Sequence, residues 1–183
     1  MIRSIWVILK PVLTPILMII IISVSLLSFG TYQTYQDRKI GASLIKKIKV
    51  KTSCNETSNP NKEFSFKFTL TNKNKILVKL EKISVGINLL GMNNRRYAYL
   101  LNTLPSTQIE NSSDDQFINY KLEKPLIFKG LEKKEIVINL KTASKEEARA
   151  SPHTFVIYKG KIIFAFDHEM SIETNCQFQV RYP

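Results

Sequence analysis

Glycine is scarce in this chain, with six among 183 residues, and none of them frames a loop that could cradle a phosphate. Neither a G-x-G-x-x-G nor a G-x-x-x-x-G-K pattern occurs, and the G-x-S-x-G nucleophile elbow is also missing. Only two histidines, His153 and His168, are present, and the only tryptophan is Trp6. The two cysteines, Cys54 and Cys176, stand far apart, which excludes a C-x-x-C redox or zinc motif. Acids are outnumbered 15 to 27 by lysine and arginine. With so few groups able to do chemistry, no catalytic, cofactor-binding or metal-binding residues are expected, and no cofactor.

What the chain does have is an uncharged, mostly aliphatic run over residues 11–36. A helix rises 1.5 Å per residue, so a hydrocarbon core of ~30 Å needs ~20 apolar residues. Residues 12–29 with their polar shoulders supply that length. In lipid every backbone N–H and C=O must be bonded internally, so a single apolar segment of this size predicts a helix. Pro11 and Pro15 are expected in its opening turns, where a missing donor costs least. Trp6 on one flank and Tyr32 and Tyr35 on the other suit the headgroup region. A cleaved signal peptide is the rival reading, because Ser28 and Gly30 have the small-residue spacing a signal peptidase accepts. The run is longer than a secretory h-region of ~7–15 residues, so retention as an anchor is expected.

Charge and cysteine disagree about which side the remainder occupies. Arg3 and Lys10 precede the run, whereas Arg38, Lys39, Lys46, Lys47, Lys49 and Lys51 follow it, and the positive-inside rule would keep the following domain in the cytoplasm. A short basic tail before a single span, however, resembles an ordinary signal anchor, and long domains translocate regardless of charge. Cys54 falls on the apolar parity of an alternating segment that contains Ile48 and Val50. Cys176 does the same among Ile172, Phe178 and Val180. Both thiols are therefore expected to face a core. They are read either as two buried free cysteines or as a disulfide closing a loop of about 120 residues, which would contribute ~4–5 kcal/mol. The disulfide requires an oxidising compartment. It tips the expectation toward an extracytoplasmic domain.

The net charge is +12, and it stays near +10 once Arg3 and Lys10 are assigned to the anchor. Most lysines are spread along the chain and mixed with glutamate. The cluster that includes Arg38, Lys39, Lys46 and Lys47 stands beside the span, where contact with anionic headgroups is worth ~1 kcal/mol per basic residue. Arg95 and Arg96, with Tyr97 and Tyr99 nearby, form a second basic group. Arginine grips phosphate and tyrosine stacks on bases, yet the same residues read equally as a polar hairpin loop followed by a strand with Tyr97, Tyr99 and Leu101 turned inward. Nucleic acid is not the expected partner.

Beyond the span, residues 37–47 read as a continuing helix or stiff stalk, with Ile40, Leu44, Ile45 and Ile48 at helical spacing. The period then changes to two. Phe64, Phe66, Phe68 and Leu70 alternate with polar residues, and Asn72-Lys73-Asn74-Lys75 supplies a turn. The next apolar stretch changes parity around Glu81 and Lys82, which predicts a bulge or a change of sheet. Further strands are predicted over 97–101, 117–122, 136–140, 154–158, 162–166 and 170–182, with a hairpin turn at Lys159-Gly160 and one helical turn over 144–150. About eight short strands between polar turns predict a mainly β fold: a transmembrane helix, then an antiparallel sandwich, immunoglobulin-like in the broad sense. The boundaries are 1–36 for tail and anchor, 37–47 for the basic stalk and 48–183 for the sandwich. KLEKISVGINL over 79–89 echoes GLEKKEIVINL over 130–140, a match that biased composition explains as well as duplication does.

Three polar features could still carry chemistry. Asp167-His168-Glu169 pairs carboxylates with an imidazole, as a general base or partial metal site would, but it falls between two strands and reads as a solvated turn. Asp114-Asp115 could attract calcium but lacks the spaced oxygen ligands of a dedicated loop. Asn55 and Asn111 begin glycosylation sequons in an asparagine-rich chain. The resulting expectation is a non-enzymatic, membrane-anchored interaction module, an accessory or assembly subunit whose partners are the lipid bilayer and a protein in a membrane or envelope complex. Two alternatives stand beside it, a binding module for an anionic polymer or headgroup and a small anchored enzyme using His168.

Overall fold

The structure, a computed structural model, describes the backbone of residues 2–101, 107–110 and 116–183, and the side chains of 18–101 and 116–183. Two compact units make it up, Met1–Ile40 and Gly41–Pro183.

Helix α1 (Ile2–Ile45) forms the first unit and continues into the second. Its part Met18–Ile45 is long and apolar enough to cross a membrane. The large apolar side chains between Met18 and Phe29 are more than half exposed, as a lipid-facing surface requires. Hydroxyls within this stretch are satisfied by the helix itself. Ser23, Ser25 and Ser28 donate to the carbonyls of Ile19, Ile21 and Val24 at 2.7–2.8 Å, and Thr34 donates to Gly30. Because α1 begins at Ile2, Pro11 and Pro15 lie inside the helix rather than in its opening turns. Each removes one donor from a long ladder, a loss that spanning helices tolerate.

In chain order the second unit contains β1 (Ile48–Ser53), β2 (Asn55–Ser58), β3 (Glu63–Asn72), β4 (Val78–Gly86) and the short helix α2 (Ile87–Leu90). Then come β5 (Gly91–Met92), β6 (Arg95–Arg96), β7 (Ala98–Leu100), β8 (Thr107–Glu110), β9 (Phe117–Phe128) and β10 (Lys133–Thr142). One helical turn, α3 (Lys145–Ala148), precedes β11 (Phe155–Phe166) and β12 (Ser171–Arg181). One sheet has the order β1-β3-β10-β7, the other β2-β12-β11-β4-β9-β8, while β5 and β6 make a separate hairpin. Neighbours run antiparallel except β2, which pairs with β12 in parallel. The architecture is thus mainly β, an immunoglobulin-like sandwich.

Alternation builds its core. On β3, Phe66, Phe68 and Leu70 are fully buried, and the two phenylalanines meet aromatic rings of the facing sheet. Phe68 meets Phe164 edge-on at 5.1 Å between centroids, and Phe64 lies 4.9 Å from Phe178. Each such side chain contributes ~1.5–3 kcal/mol by leaving water. The parity change at Glu81 and Lys82 is a bulge inside one sheet: β4 skips a register step against both β11 and β9 between Leu80 and Lys82. Pro125 of β9 sits in the looped-out partner segment, where no ladder donor is needed.

Other expectations need correction. No hairpin turn occurs at Lys159-Gly160, because β11 runs unbroken through both residues with Gly160 opposite Cys176. Glycine is there because α2 packs onto the strand: an added Cβ would come within 2.8 Å of Leu89 Cγ. The turn lies instead at Asp167-His168-Glu169, with His168 and Glu169 both at φ 55°. β4 ends at Gly86, and the residues that follow it, Ile87 to Leu90, form α2. Ala98, not Tyr99, points inward on β7. The two echoing segments fall in different sheets, and Leu89 is helical where Leu140 is in a strand.

Gly160→Val should overpack this contact and lower stability by about 1–3 kcal/mol in urea denaturation of the detergent-solubilised protein. An unchanged midpoint would show that α2 yields freely and does not pin β11.

Candidate functional site

The two cysteines come together. β1 belongs to the first sheet and β2 to the second, so the chain changes sheets at the single residue between them, Cys54. Its sulfur is bonded to Cys176 on β12, with the Cα atoms 5.2 Å apart. The Gln177 N–H donates to the Cys54 carbonyl at 3.1 Å beside the disulfide. Asn55, first residue of its sequon, follows immediately on the exposed edge strand β2.

A second junction lies where α1 enters the sandwich. Leu44 and Ile48 are buried, whereas Ile40, expected on the same face, is exposed. Gly41 lies against the turn between β11 and β12, where a Cβ would collide with the His168 carbonyl oxygen. The segment read as a simple turn, 72–75, carries two buried carboxamides. The Asn72 Nδ2 donates to the carbonyls of Ile76, Phe128 and Lys129 at 2.8–3.2 Å. Its Oδ1 accepts from the backbone and side chain of Asn74, and the Asn74 Nδ2 donates to the Leu44 carbonyl at 3.1 Å. Asn74 is thus a second donor to a carbonyl at the end of α1 that also accepts from the Lys47 N–H at 3.0 Å. Parity alone could have flagged Asn72, which continues the inward series Phe66, Phe68, Leu70.

Within the second unit the predicted basic residues fall at two places. Lys46 and Lys47 are exposed beside this junction, at the end of the sandwich where β10 starts, since Asn72 N–H bonds to the Glu132 carbonyl. Arg95 and Arg96 lie near the other end of β10, where Thr142 pairs with Ala98 of β7. Ten strand residues separate the two ends, about 30 Å. Arg38 and Lys39 belong to the first unit. The hairpin carrying Arg95 and Arg96 turns through Asn93 and Asn94, both at positive φ. The Arg96 guanidinium sits 5.4 Å over the Tyr99 ring, and the Tyr99 hydroxyl donates to Glu147. That bond, with the Ser144 N–H of the α3 capping box, holds the Glu147 carboxyl below its usual range. Tyr97 stacks on Tyr158 at 4.2 Å. Both tyrosines thus make contacts within the protein, Tyr97 with Tyr158 and Tyr99 with Arg96 and Glu147.

Burial pushes the Tyr158 and Tyr182 hydroxyls, 3.1 Å apart, above the ordinary phenol range, so this pair stays neutral at physiological pH. On the outer face of the larger sheet, where β4 leaves at Gly86, a trough of ≈630 Å³ is lined by Asn55, Asn88, Asn175, Gln177, Lys161 and Glu173, among others. Lys161 and Glu173 pair across it at 2.8 Å. Amides dominate its polar lining, with that ion pair and Lys159, and Phe117 and Ile163 add apolar surface. Among the described residues no three His, Cys, Asp or Glu side chains gather as a metal site. Asp114, Asp115 and Asn111 lie outside the described residues.

No family model and no curated protein matches the chain. Solved structures with similar folds include the sporulation control protein Spo0M of Bacillus subtilis, at 8% identity and TM-score 0.45 over 75% of this chain and 50% of that one. A putative membrane anchored protein of Corynebacterium diphtheriae aligns at 9% identity and TM-score 0.43 over 74% of this chain and 36% of that one. The periplasmic chaperone SfaE aligns at 9% and 0.37 over 73% and 57%. This chain thus spans about half the length of Spo0M.

Asn72→Ala should cost about 2–3 kcal/mol, because it leaves buried carbonyls and the Asn74 amide without partners. Chemical denaturation measures this, and a loss below about 0.5 kcal/mol would mean water replaces the carboxamide.

Proposed function

We propose that this protein is a single-pass membrane protein whose sandwich stands outside the cytoplasm and works by binding, as an accessory or assembly subunit of a membrane or envelope complex. The observation that carries this reading is the disulfide at the crossing between sheets, in a domain that follows directly on an apolar helix. A disulfide between buried positions is retained in an oxidising compartment and rarely in the cytoplasm. Non-enzymatic action is the reading that suits surfaces made of amides, lysines and engaged tyrosines. The lipid bilayer and a protein are the partners proposed.

Topology is tested with a maleimide probe on intact cells, followed by a non-reducing gel. The expected result is no shift until reductant is added, with accessibility from outside thereafter. Thiols that react without reductant, and only after lysis, would place the domain in the cytoplasm. Assembly is tested separately at native expression levels. Gentle detergent extracts should contain the chain in a larger complex, and a monodisperse monomer would refute the subunit role.

A further inference from the structure

The end of the sandwich that α1 enters carries exposed aliphatic side chains on two adjoining loops. Leu131 is 74% exposed in the turn between β9 and β10, and Ile76 and Leu77 are 50% and 44% exposed in the loop between β3 and β4. Ile127, 43% exposed, pairs with Lys79 just beyond them. The loops are bonded to each other. The Leu131 N–H donates to the Asn74 carbonyl at 3.2 Å, and Gly130 packs so closely on the Lys75 carbonyl that no Cβ would fit. Leu131 also holds φ 64°, a left-handed conformation unfavourable to a bulky residue. Scattered single apolar residues need no explanation, but three on bonded loops with a fourth on the adjoining strand do.

Charge around the cluster has one dominant sign. Lys73, Lys75 and Lys129 are exposed on the same two loops. The acids nearby are already engaged: Glu132 is held by the Lys129 N–H at 2.7 Å and by Lys134 at 3.5 Å, and Asp167 accepts from the Lys79 N–H at 3.2 Å. Aliphatic tips within a ring of lysines match a bilayer with anionic headgroups, where apolar side chains enter the acyl boundary and ammonium groups stay among phosphates. The anchor limits how far this end can stand from that surface. From Tyr35 to Leu44 there are nine residues, at most about 30 Å of chain, and Asn74 bonds Leu44 directly.

We infer that the loops 72–77 and 128–132 form a second, interfacial attachment to the bilayer, specific for anionic lipid, that holds this end of the sandwich on the membrane. The inference rests on the membrane-anchored reading above.

The test uses full-length protein carrying Leu131→Trp in a Trp6→Phe background, placed in nanodiscs whose lipids bear bromine near the top of the acyl chain. Phosphatidylcholine discs with added phosphatidylglycerol are compared with phosphatidylcholine alone. Insertion of ~5–10 Å should quench the introduced indole roughly twofold or more in the anionic discs and less in the neutral ones, with quenching reduced by salt. For the wild-type chain, amide exchange over 73–77 and 128–132 should slow in anionic discs relative to neutral ones. This control is free of any effect of the substitution. An unquenched indole with water-exposed emission in both discs, with unchanged exchange, overturns the inference while leaving the anchor intact. Equal quenching in both overturns the anionic preference. A chain that fails to co-elute with the discs overturns the anchored reading and this one with it.

Discussion

A strand that begins at the edge of one sheet and finishes at the edge of the other must cross the open side of the sandwich, and here the crossing is one residue long. Cys54 occupies it. Its bond to Cys176 fixes the crossing against the last strand, so the parallel pairing of β2 with β12 and the closure of that side follow from one covalent link. The loop it closes, 122 residues in sequence separation, contains nearly the whole domain. The chain-entropy account assigns ~4–5 kcal/mol to such a link, a large share of the stability of a domain of this size.

The two ends of the sandwich are held by different chemistry. At the end that receives α1, two asparagines replace what would otherwise be core hydrophobes. Asn72 sits where β3 places an inward side chain, yet it spends both polar ends on backbone groups of neighbouring loops. A buried carboxamide is costly unless saturated, and saturation here welds the helix terminus, the β3–β4 loop and the β9–β10 turn into one piece. The opposite end is aromatic. Tyr97, Tyr158, Tyr182 and Phe178 pack there, and the Arg95–Arg96 hairpin is set beside them.

Parity was the most legible signal. β3, β12 and the bulge in β4 could all be read from alternation, because a half-buried strand must place every second side chain in the core. The inward positions of Cys54 and Cys176 were legible for the same reason. Gly160 misled, since a glycine after lysine has the look of a turn when read locally. The residue is instead required by Leu89, which approaches from a helix 71 positions earlier in sequence. Asn72-Lys73-Asn74-Lys75 misled in the same way: turn chemistry was correctly read, but Asn72 is bonded to a turn 56–57 residues away and Asn74 to Leu44, 30 residues before it. Where Lys46 and Lys47 stand relative to Arg95 and Arg96 was not legible, because linear charge counts carry no information about the two ends of a strand.

From the sequence alone came the apolar helix, the switch to period two, the β class of the domain and the facing of both thiols, each a consequence of short-range geometry along the chain. Tertiary structure decided which loops adjoin and which lysines share a surface. It also decided that an exposed Leu131 stands with Ile76 and Leu77 rather than alone. Those outcomes depend on contacts between segments far apart in the chain, where the energy of a position is set by whatever folds against it.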